Sequence, residues 1–320
     1  LAGGRLECWG AIDLALAMAG DMSGAAFTPV PIAGITDAAY VLDGFYATCV
    51  VRLNGKAACL GLGVFGALGN GRPILQAGPE LPVQGLTDAT DVQLGELFSC
   101  ALRATKQISC WGVGPFGPGA TSEKRVSATP QSVPDANDAT SFSTGGEHGC
   151  AVITGGTVKC LGSNSYGQLG DGTTSDSFLA AVDVDGLTDA VAVAAGRSHS
   201  CALRAGGTVE CWGYNWSGQL GDGTNDASST PKAVSGLTDV SAVAAGGDTT
   251  CAIEDGGVWC WGELNDSNNT RSNEPEAVAG ISTATKVAVG RSHACAVLAD
   301  ETAVCWGRNS GGKLGDGTAV

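Results

Sequence analysis

Hydrophobic and polar residues alternate along this chain in short runs, and glycine-containing turns separate the runs. In one of the clearest segments, the runs cover residues 232–237, 240–246, 250–254 and 258–264. Small and β-branched residues are frequent in them, and no stretch keeps the period of an amphipathic helix over a useful length. The pattern therefore predicts an all-β protein whose basic unit has four short strands.

This unit returns at a nearly constant interval. A motif of cysteine, then tryptophan or leucine, then glycine occurs seven times, and successive copies are 45 to 51 residues apart. The cysteines of the motif are Cys8, Cys59, Cys110, Cys160, Cys211, Cys260 and Cys305. Four strands per repeat at such a period are typical of a propeller, whose sheets pack face to face. We predict a single domain over residues 1–320, a seven-bladed β-propeller of four-stranded antiparallel blades with one blade incomplete.

Both ends of the sequence fall inside a repeat. Residues 1–8 match residues 253–260, which places the expected partner of Cys8 about two residues before Leu1. The last residues, 315–320, should lead into another outer strand. We therefore expect a fragment of a longer chain. Either that longer chain or a neighbouring copy, through strand addition and self-assembly, would supply the missing inner strands.

Twelve of the thirteen cysteines fall into six pairs that are nine or ten residues apart. Opposed residues of an antiparallel hairpin have a constant index sum, so Cys201 and Cys211 face each other across a three-residue turn centred on Gly206. The pair that is one residue closer requires a two-residue turn at Asp255 and Gly256, a sequence that this turn favours. Opposed positions lie within disulfide reach. We predict six cross-strand disulfides: Cys49–Cys59, Cys100–Cys110, Cys150–Cys160, Cys201–Cys211, Cys251–Cys260 and Cys295–Cys305.

Cysteine pairing and charge limit the compartment and the partners. Metal binding, the alternative for the cysteines, favours Cys-x₂-Cys spacing, which the sequence lacks. Systematic disulfides indicate an oxidising compartment, so we expect a secreted or cell-surface protein. A net charge of −15, with no basic patch along the chain, disfavours nucleic acid as a partner. No apolar run approaches the ~20 residues of a membrane span, so we expect no membrane insertion.

The three histidines occupy one repeat position, two residues before a cysteine. They are His148, His199 and His293. A residue that returns at one position is typical of a structural hydrogen bond. A three-histidine metal site, the alternative, would require the rings to converge from separate blades.

The repeated GDGT loops carry Asp171, Asp222 and Asp316. An isolated aspartate in a glycine turn indicates turn chemistry, and calcium binding is the alternative. The sequence contains no Gly-x-Ser-x-Gly elbow and no phosphate-binding Gly-x₄-Gly-Lys-Ser/Thr loop. We therefore expect no catalytic residues, no cofactor and no metal.

The repeated motifs resemble the regulator of chromosome condensation repeat family. The resemblance rests on G-L-T-D-V…A-A-G-x-x-H-S-C-A-L followed by C-W-G-x-N-x-x-G-Q-L-G-D-G-T, and it is strongest over residues 140–320. It implies a seven-bladed propeller. The motif is specific for the fold and does not specify a function.

Two activities known in that family fit this sequence poorly. Nucleotide exchange on the small GTPase Ran is assisted by a basic tail, whereas this chain is acidic. Ultraviolet-B perception uses tryptophans in G-W-R-H-T motifs, and the matching tracts at 146–150, 196–201, 246–251 and 290–295 lack that tryptophan. We expect the tryptophans of the C-W-G strands to pack between blades instead: Trp9, Trp111, Trp212, Trp261 and Trp306. The paired cysteines point towards secreted bacterial members of the family.

A candidate binding surface remains in the loops that follow the C-W-G strands. Tyr166, Tyr214 and Trp216 lie there among Asn, Ser and Gly residues, and exposed aromatics on rigid loops suit protein or glycan contact. The alternative is that they fill the space between blades. The polar loop at 265–276 is a solvated loop or a second contact region. The sequence thus favours a non-enzymatic protein- or glycan-binding or structural module, and the alternative is a secreted hydrolase or the propeller domain of a larger enzyme.

Mass mapping under non-reducing conditions should find the six bridges in the native protein. Each bridge closes a short loop that a turn already forms, so each should stabilise the fold by about 2 kcal/mol. Reduction should lower the melting temperature while much of the β structure remains, because packing between blades holds the sheets together. Free thiols at these twelve positions would contradict the prediction and remove the argument for an oxidising compartment.

Overall fold

The computed structural model is a β-propeller of antiparallel blades. It describes residues 4–10, 26–32, 34–44, 47–61, 64–72, 81–114, 126–264 and 270–319. Apart from one 3₁₀ turn, Val64–Gly66, the elements in these ranges are β-strands, and each strand pairs antiparallel with its sequence neighbour in the same sheet. The all-β prediction is confirmed.

Twenty-five strands form the described sheets. The first two four-stranded sheets are β3–β6 (Ala38–Asp43, Ala47–Arg52, Ala57–Gly61, Leu81–Pro82) and β7–β10 (Ala89–Leu94, Phe98–Arg103, Ile108–Val113, Val126–Ser132). The next are β11–β14 (Ala139–Thr144, His148–Ile153, Val158–Gly162, Ser177–Asp183) and β15–β18 (Ala190–Ala195, His199–Arg204, Val209–Gly213, Ser228–Ala233). They are followed by β19–β22 (Val240–Gly246, Thr249–Glu254, Gly257–Glu263, Arg271–Ala277) and by a three-stranded sheet, β23–β25 (Ala284–Val289, His293–Leu298, Ala303–Gly307).

The seventh unit is a pair of strands, β1 (Glu7–Gly10) and β2 (Ala26–Pro31). β1 carries the C-W-G motif, so the pair corresponds to the third and fourth strands of a blade. The sequence predicted seven blades with one incomplete. The described residues give six blades of three or four strands, and the count of seven is corrected to six because the seventh unit lacks its two inner strands there.

One predicted strand has the wrong bounds. The apolar run at 232–237 was predicted to be one of the four strands of its unit, but β18 ends at Ala233 and is the outer strand of the preceding sheet. Val234 and Leu237 follow in a turn, where both are buried in a cluster with Trp261 of the next sheet. Their apolar character therefore reflects burial in a turn between blades and not an extended conformation.

The contacts within the chain divide it into two compact units. One comprises Leu1–Asp138, Phe178–Ala180 and Asn309–Val320, and the other comprises Ala139–Ser177 and Ala181–Arg308. The first contains β1–β10, and the second contains β11–β25 apart from the middle of β14. A single domain over residues 1–320 stays a prediction.

Six disulfides cross the hairpins between the second and third strands of the sheets, and they join the six pairs expected from the sequence. The paired Cα atoms are 4.0–4.1 Å apart, because each pair occupies directly opposed register positions. The two-residue turn has positive φ at both Asp255 (51°) and Gly256 (76°), as this hairpin turn requires. Cys8 is a free, half-buried cysteine.

Adjacent sheets pack around the tryptophans of the C-W-G strands. Trp212 is fully buried in a cluster with Val158 and Leu169 of the preceding sheet. Its Nε1 donates a hydrogen bond to the carbonyl oxygen of Gln168, 2.9 Å away, in the loop of that sheet. The same bond recurs from Trp111 to Ala67 (2.8 Å), from Trp261 to Gln219 (2.9 Å) and from Trp9 to Lys313 (2.9 Å). Packing of these tryptophans between blades is confirmed for the three that are fully buried.

Gly170 lets the loop of one sheet lie directly against the indole of the next. Its φ is +73°, and a Cβ at this position would lie 2.7 Å from Nε1 of Trp212. A side chain would therefore meet both the cost of a left-handed backbone and a clash with a buried ring. Gly186 has a similar φ of +75°, but nothing lies within 4 Å of its Cβ position.

These two glycines make a matched pair of mutations. Gly186→Ala should cost about 1 kcal/mol of unfolding free energy, since only the backbone is strained. Gly170→Ala should cost about 3 kcal/mol, because overpacking of the core adds to the same strain. Urea denaturation of the oxidised protein, followed by circular dichroism and tryptophan fluorescence, measures both. Equal costs for the two variants would contradict the packing of the loop on the indole.

Candidate functional site

The three aromatic residues singled out in the sequence form one cluster at the surface. Tyr166 lies in the loop after β13, and Tyr214 and Trp216 lie in the loop after β17. The ring centroids of Tyr166 and Tyr214 are 4.8 Å apart at an interplanar angle of 65°, and those of Tyr214 and Trp216 are 5.5 Å apart at 40°. Tyr166 is 44% exposed, Trp216 is 69% exposed and Tyr214 is half-buried. We call these three residues the aromatic cluster; it joins two adjacent sheets and still presents ring surface to solvent.

A buried asparagine holds the loop that carries Trp216. Asn215 is fully buried, and its Nδ2 donates to the carbonyl oxygens of Thr224 (3.1 Å) and Asp226 (3.0 Å). Its Oδ1 accepts from the backbone N–H of Leu220 at 2.9 Å. Asn164 makes the equivalent bonds in the loop of Tyr166. Both loops are thus fixed by internal hydrogen bonds. The residues on either side of each asparagine are exposed or half-buried.

The aspartates of the GDGT loops complete these turns. Asp222 Oδ1 accepts from the backbone N–H of Thr224 at 3.0 Å and from its hydroxyl at 2.8 Å. Asp171 and Asp316 have the same two bonds to the threonine two residues later. In the third loop, the hydroxyl of Thr318, then its N–H, lower the pKa of the Asp316 carboxyl. These are the bonds of an Asx turn. Within the described ranges, no three His, Cys, Asp or Glu residues are grouped so that they could hold a metal ion.

The half-buried ring of Tyr214 lies in a charged environment. Burial raises the pKa of its hydroxyl, and the neighbouring carboxylate of Asp248 raises it further, whereas Arg271 and Arg197 oppose the shift. Burial also raises the pKa of Asp248, against the positive charges of Arg197, Arg271 and Arg291. Charged side chains from two sheets, Arg197 in one and Asp248 and Arg271 in the next, therefore act on the Tyr214 hydroxyl.

Backbone hydrogen bonds bring these charged residues to the same end of the sheets. In three neighbouring sheets, the last residue of the third strand or the residue directly after it donates its N–H to the loop between the first and second strands. The bonds run from Tyr214 to Ser198, from Glu263 to Asp248 and from Arg308 to Ser292, each at 2.9 Å. The loops of neighbouring sheets are also joined, since Arg197 N–H donates to Gly247 at 2.8 Å.

Four exposed arginines lie at this end: Arg197, Arg271, Arg291 and Arg308. We call them the arginine group. Sequence reasoning missed it because the four residues are far apart along the chain. Two of the four could have been linked from the sequence, because Arg197 and Arg291 occupy one repeat position in the tract G-R-S-H.

The histidines link neighbouring sheets. His148 is fully buried, and its Nε2 lies 2.8 Å from the hydroxyl of Ser200 in the next sheet. That hydroxyl donates to the carbonyl oxygen of Gln168 at 3.0 Å, the same oxygen that accepts from the Trp212 indole. The proton of the Ser200 hydroxyl is therefore used in the bond to Gln168, so the His148 Nε2–H is the donor to Ser200. Nδ1 carries no proton and is buried without a hydrogen-bond partner.

His199 repeats the arrangement one sheet further on. Its Nε2 lies 2.8 Å from the hydroxyl of Thr250, which donates to the carbonyl oxygen of Gln219 at 3.0 Å. Burial lowers the pKa of His148 to about 4 and that of His199 to about 3. The two rings each face the next sheet and do not converge. This geometry supports the structural interpretation of the histidine position and not a shared metal site.

Parts of the chain match models of the regulator of chromosome condensation (RCC1) repeat, which supports the resemblance to that family. One model matches residues 156–203 and 207–253, and a second model of the same description matches residues 190–219 and 284–313.

Curated relatives are similar over part of their length. The ultraviolet-B receptor UVR8 of Arabidopsis thaliana is 32% identical over 146 residues, 44% of this chain and 33% of the receptor. The regulator of chromosome condensation of Drosophila melanogaster is 33% identical over 171 residues, 52% of this chain and 31% of that protein. The probable E3 ubiquitin-protein ligase HERC6 of Homo sapiens is 36% identical over 146 residues, 43% of this chain and 14% of the ligase. This chain thus spans a third or less of these relatives.

Solved structures share the fold. Human WBSCR16 superposes with a TM-score of 0.86 at 20% identity and covers 98% of this chain and 92% of its own. Yeast Prp20, an RCC1 protein solved with Kap60 bound, gives a TM-score of 0.82 at 18% identity, over 98% of this chain and 80% of its own. At these identities the likeness shows the fold alone.

The buried histidines predict acid sensitivity. Between about pH 6.5 and pH 4 the unfolded chain binds protons at His148 and His199, whereas the folded chain keeps both rings neutral. Stability should therefore fall with decreasing pH in this window, by about 1.4 kcal/mol per pH unit for each histidine.

His199→Gln keeps a donor towards Thr250 and removes the titration, so it should halve the slope of unfolding free energy against pH. His148→Gln should do the same, and the double variant should lose the contribution of both rings to the slope. Urea denaturation at several pH values measures the slopes. A slope that is unchanged in the double variant would show that the histidines are not neutral in the fold.

Proposed function

We propose that this chain is a secreted or cell-surface, non-enzymatic interaction module that binds its partner through the aromatic cluster. The observation that carries the proposal is the contact among Tyr166, Tyr214 and Trp216, three rings from two sheets that stay accessible. Trp and Tyr dominate the binding energy of protein interfaces. Because the loops are held by internal hydrogen bonds, little conformational entropy is lost when a partner docks.

A protein partner is favoured over a glycan. Yeast Prp20, which has the same fold, is known with Kap60 bound and for its binding to Gsp1p and histones. Kap60, Gsp1p and histones are proteins, and binding to them is a property of Prp20. For this chain they support a protein ligand in general, and a glycan is the outcome that the experiment below must exclude.

The non-enzymatic role rests on the use of the repeated polar residues. His148, His199, Asn164, Asn215 and Asp222 each have a hydrogen-bond partner that the fold requires. The alternatives are a secreted hydrolase and the propeller domain of a larger enzyme. The propeller domain of a larger enzyme is supported by HERC6, because the match covers only 14% of that E3 ligase.

The proposed compartment rests on the disulfides. Six bridges of this kind form and persist in oxidising surroundings, so we place the protein outside the cytosol, as a disulfide-rich member of the bacterial secreted type. Among the described residues, no helix is long and apolar enough to cross a membrane.

Affinity capture with matched variants tests the proposal. The immobilised oxidised chain is exposed to the native extracellular or surface fraction, and bound species are identified for the wild type, Trp216→Ala, Tyr166→Ala and Leu53→Ala. Leu53 is an apolar control, 76% exposed in a hairpin turn of another sheet. Loss of Trp216 should weaken binding about 30-fold, as expected for a hot-spot residue that contributes about 2 kcal/mol. Leu53→Ala should bind as the wild type does.

Treatment of the captured partner with protease or with glycosidase then separates the two ligand classes. Capture that is equal for all four proteins would contradict the proposed surface. Turnover of a glycosidase, esterase or protease substrate that a point mutation abolishes would contradict the non-enzymatic role.

A further inference from the structure

The aromatic cluster brings together two of the four tyrosines of the chain, which are 48 positions apart in the sequence (214 − 166 = 48). The ring centroids of Tyr166 and Tyr214 are 4.8 Å apart, at the short end of the range of about 4.5–7 Å that aromatic pairs favour. The rings meet edge to face, so carbon atoms of one phenol lie directly against the other ring. Rotation of the two side chains is then enough to bring a carbon of one ring to a carbon of the other.

Oxidants in solution have access to this cluster. Trp216 and Tyr166 are exposed, and Tyr214 is half-buried between them. The ring centroid of Trp216 is 5.5 Å from that of Tyr214. An electron taken from the exposed indole can therefore be replaced from Tyr214, because a phenol that releases its proton is oxidised more readily than an indole.

The loops hold the backbones of the two tyrosines in place. Asn164 and Asn215 anchor the loops, each through an acceptor bond of 2.9 Å from a backbone N–H, and the N–H of Tyr166 donates to Gln168 Oε1 at 2.9 Å. The two phenols therefore stay beside each other at a high effective concentration. Such proximity favours a reaction between these two rings over a reaction with a second molecule.

We propose that Tyr166 and Tyr214 become joined by a dityrosine bond when a haem peroxidase oxidises the protein with hydrogen peroxide. Each phenol loses one electron and its hydroxyl proton, and the two phenoxyl radicals form a carbon–carbon bond between ring positions next to the oxygens. Each of these carbons then loses its proton, and each oxygen regains one. In sum, the two tyrosines lose two hydrogen atoms, and one hydrogen peroxide takes up the two protons and two electrons to give two molecules of water.

The dityrosine bond is a kind of link that the disulfides do not provide. All six disulfides close hairpins within one sheet, across nine or ten residues. The bond between the tyrosines joins the sheet of β11–β14 to the sheet of β15–β18 and closes a loop of 48 residues. A crosslink that closes a longer loop removes more conformational entropy from the unfolded chain. This inference goes beyond the proposed function, since the bond forms without a partner.

Treatment of the dilute, disulfide-bonded protein with a haem peroxidase and a stoichiometric amount of hydrogen peroxide tests the inference. The product should be a monomer in sedimentation, with a mass lower by two hydrogen atoms and the fluorescence of dityrosine. Mass spectrometry of a proteolytic digest should find the peptide of Tyr166 joined to the peptide of Tyr214. The melting temperature should rise by at least about 3 °C, because the new crosslink restricts the unfolded chain.

Matched phenylalanine variants locate the bond. Tyr166→Phe and Tyr214→Phe keep a ring in the cluster and remove one phenol, so neither should form the crosslink or gain in melting temperature on oxidation. Tyr40→Phe is the control, since Tyr40 is 38% exposed on β3 in another sheet, and it should be crosslinked as the wild type is. Trp216→Phe should slow the reaction and leave the crosslinked pair the same.

Several results would overturn the inference. They are a covalent dimer as the main product, a crosslink that includes Tyr40 or Tyr46, oxidation of Trp216 with both tyrosines unchanged, and a crosslinked monomer from Tyr166→Phe. None of them bears on the proposed function, because partner capture is measured on protein that has not been treated with peroxide. Loss of that function would appear as capture that does not depend on Trp216, and it would leave the crosslink standing.

Discussion

The backbone carbonyl of Gln168 is the point at which two neighbouring sheets are joined, and the equivalent oxygen of Gln219 does the same one sheet further on. Each oxygen accepts two hydrogen bonds from the next sheet, one from a tryptophan indole and one from a serine or threonine hydroxyl. The histidine of the first sheet then donates to that hydroxyl. All these groups are buried, so loss of one partner leaves the others without a hydrogen bond. An unsatisfied polar group is costly in a nonpolar interior, and this cost favours one arrangement of the two sheets.

Disulfides and blade junctions stabilise different parts of the structure. All six disulfides join strands of one sheet, whereas the tryptophans and histidines join one sheet to another. The G-Q-L-G motif contributes to the junctions between sheets, because it supplies a carbonyl acceptor, then a buried leucine such as Leu169, then a glycine on which the indole rests. These separate structural roles explain why both the C-W-G and the G-Q-L-G motifs return in the sequence at the same period.

Local and periodic features of the structure could be predicted from the sequence. The turn at Asp255-Gly256 follows from the cysteine spacing, and the histidine role follows from its single repeat position. The strand at 232–237 was misplaced because Val234 and Leu237 are buried in a turn, where an apolar residue gives the same pattern as a strand. The contact between Tyr166 and Tyr214 and the hydrogen bond from Arg197 to Gly247 depend on the relative placement of sheets, which residue spacing within one repeat does not encode.

The buried asparagine of each loop separates the residues that build the scaffold from those that face outwards. Asn215 anchors the loop through hydrogen bonds to the backbone and to Asp222. Within the part of the chain that the structure describes, the side chains at positions 214 and 216 on either side make no hydrogen bond. Their identity can change from repeat to repeat, as it does between Tyr214–Trp216 and Ser163–Ser165, while the loop keeps its conformation. Mutation can therefore alter recognition at these positions at little cost in stability, which makes this scaffold suited to the evolution, or the laboratory selection, of new specificities.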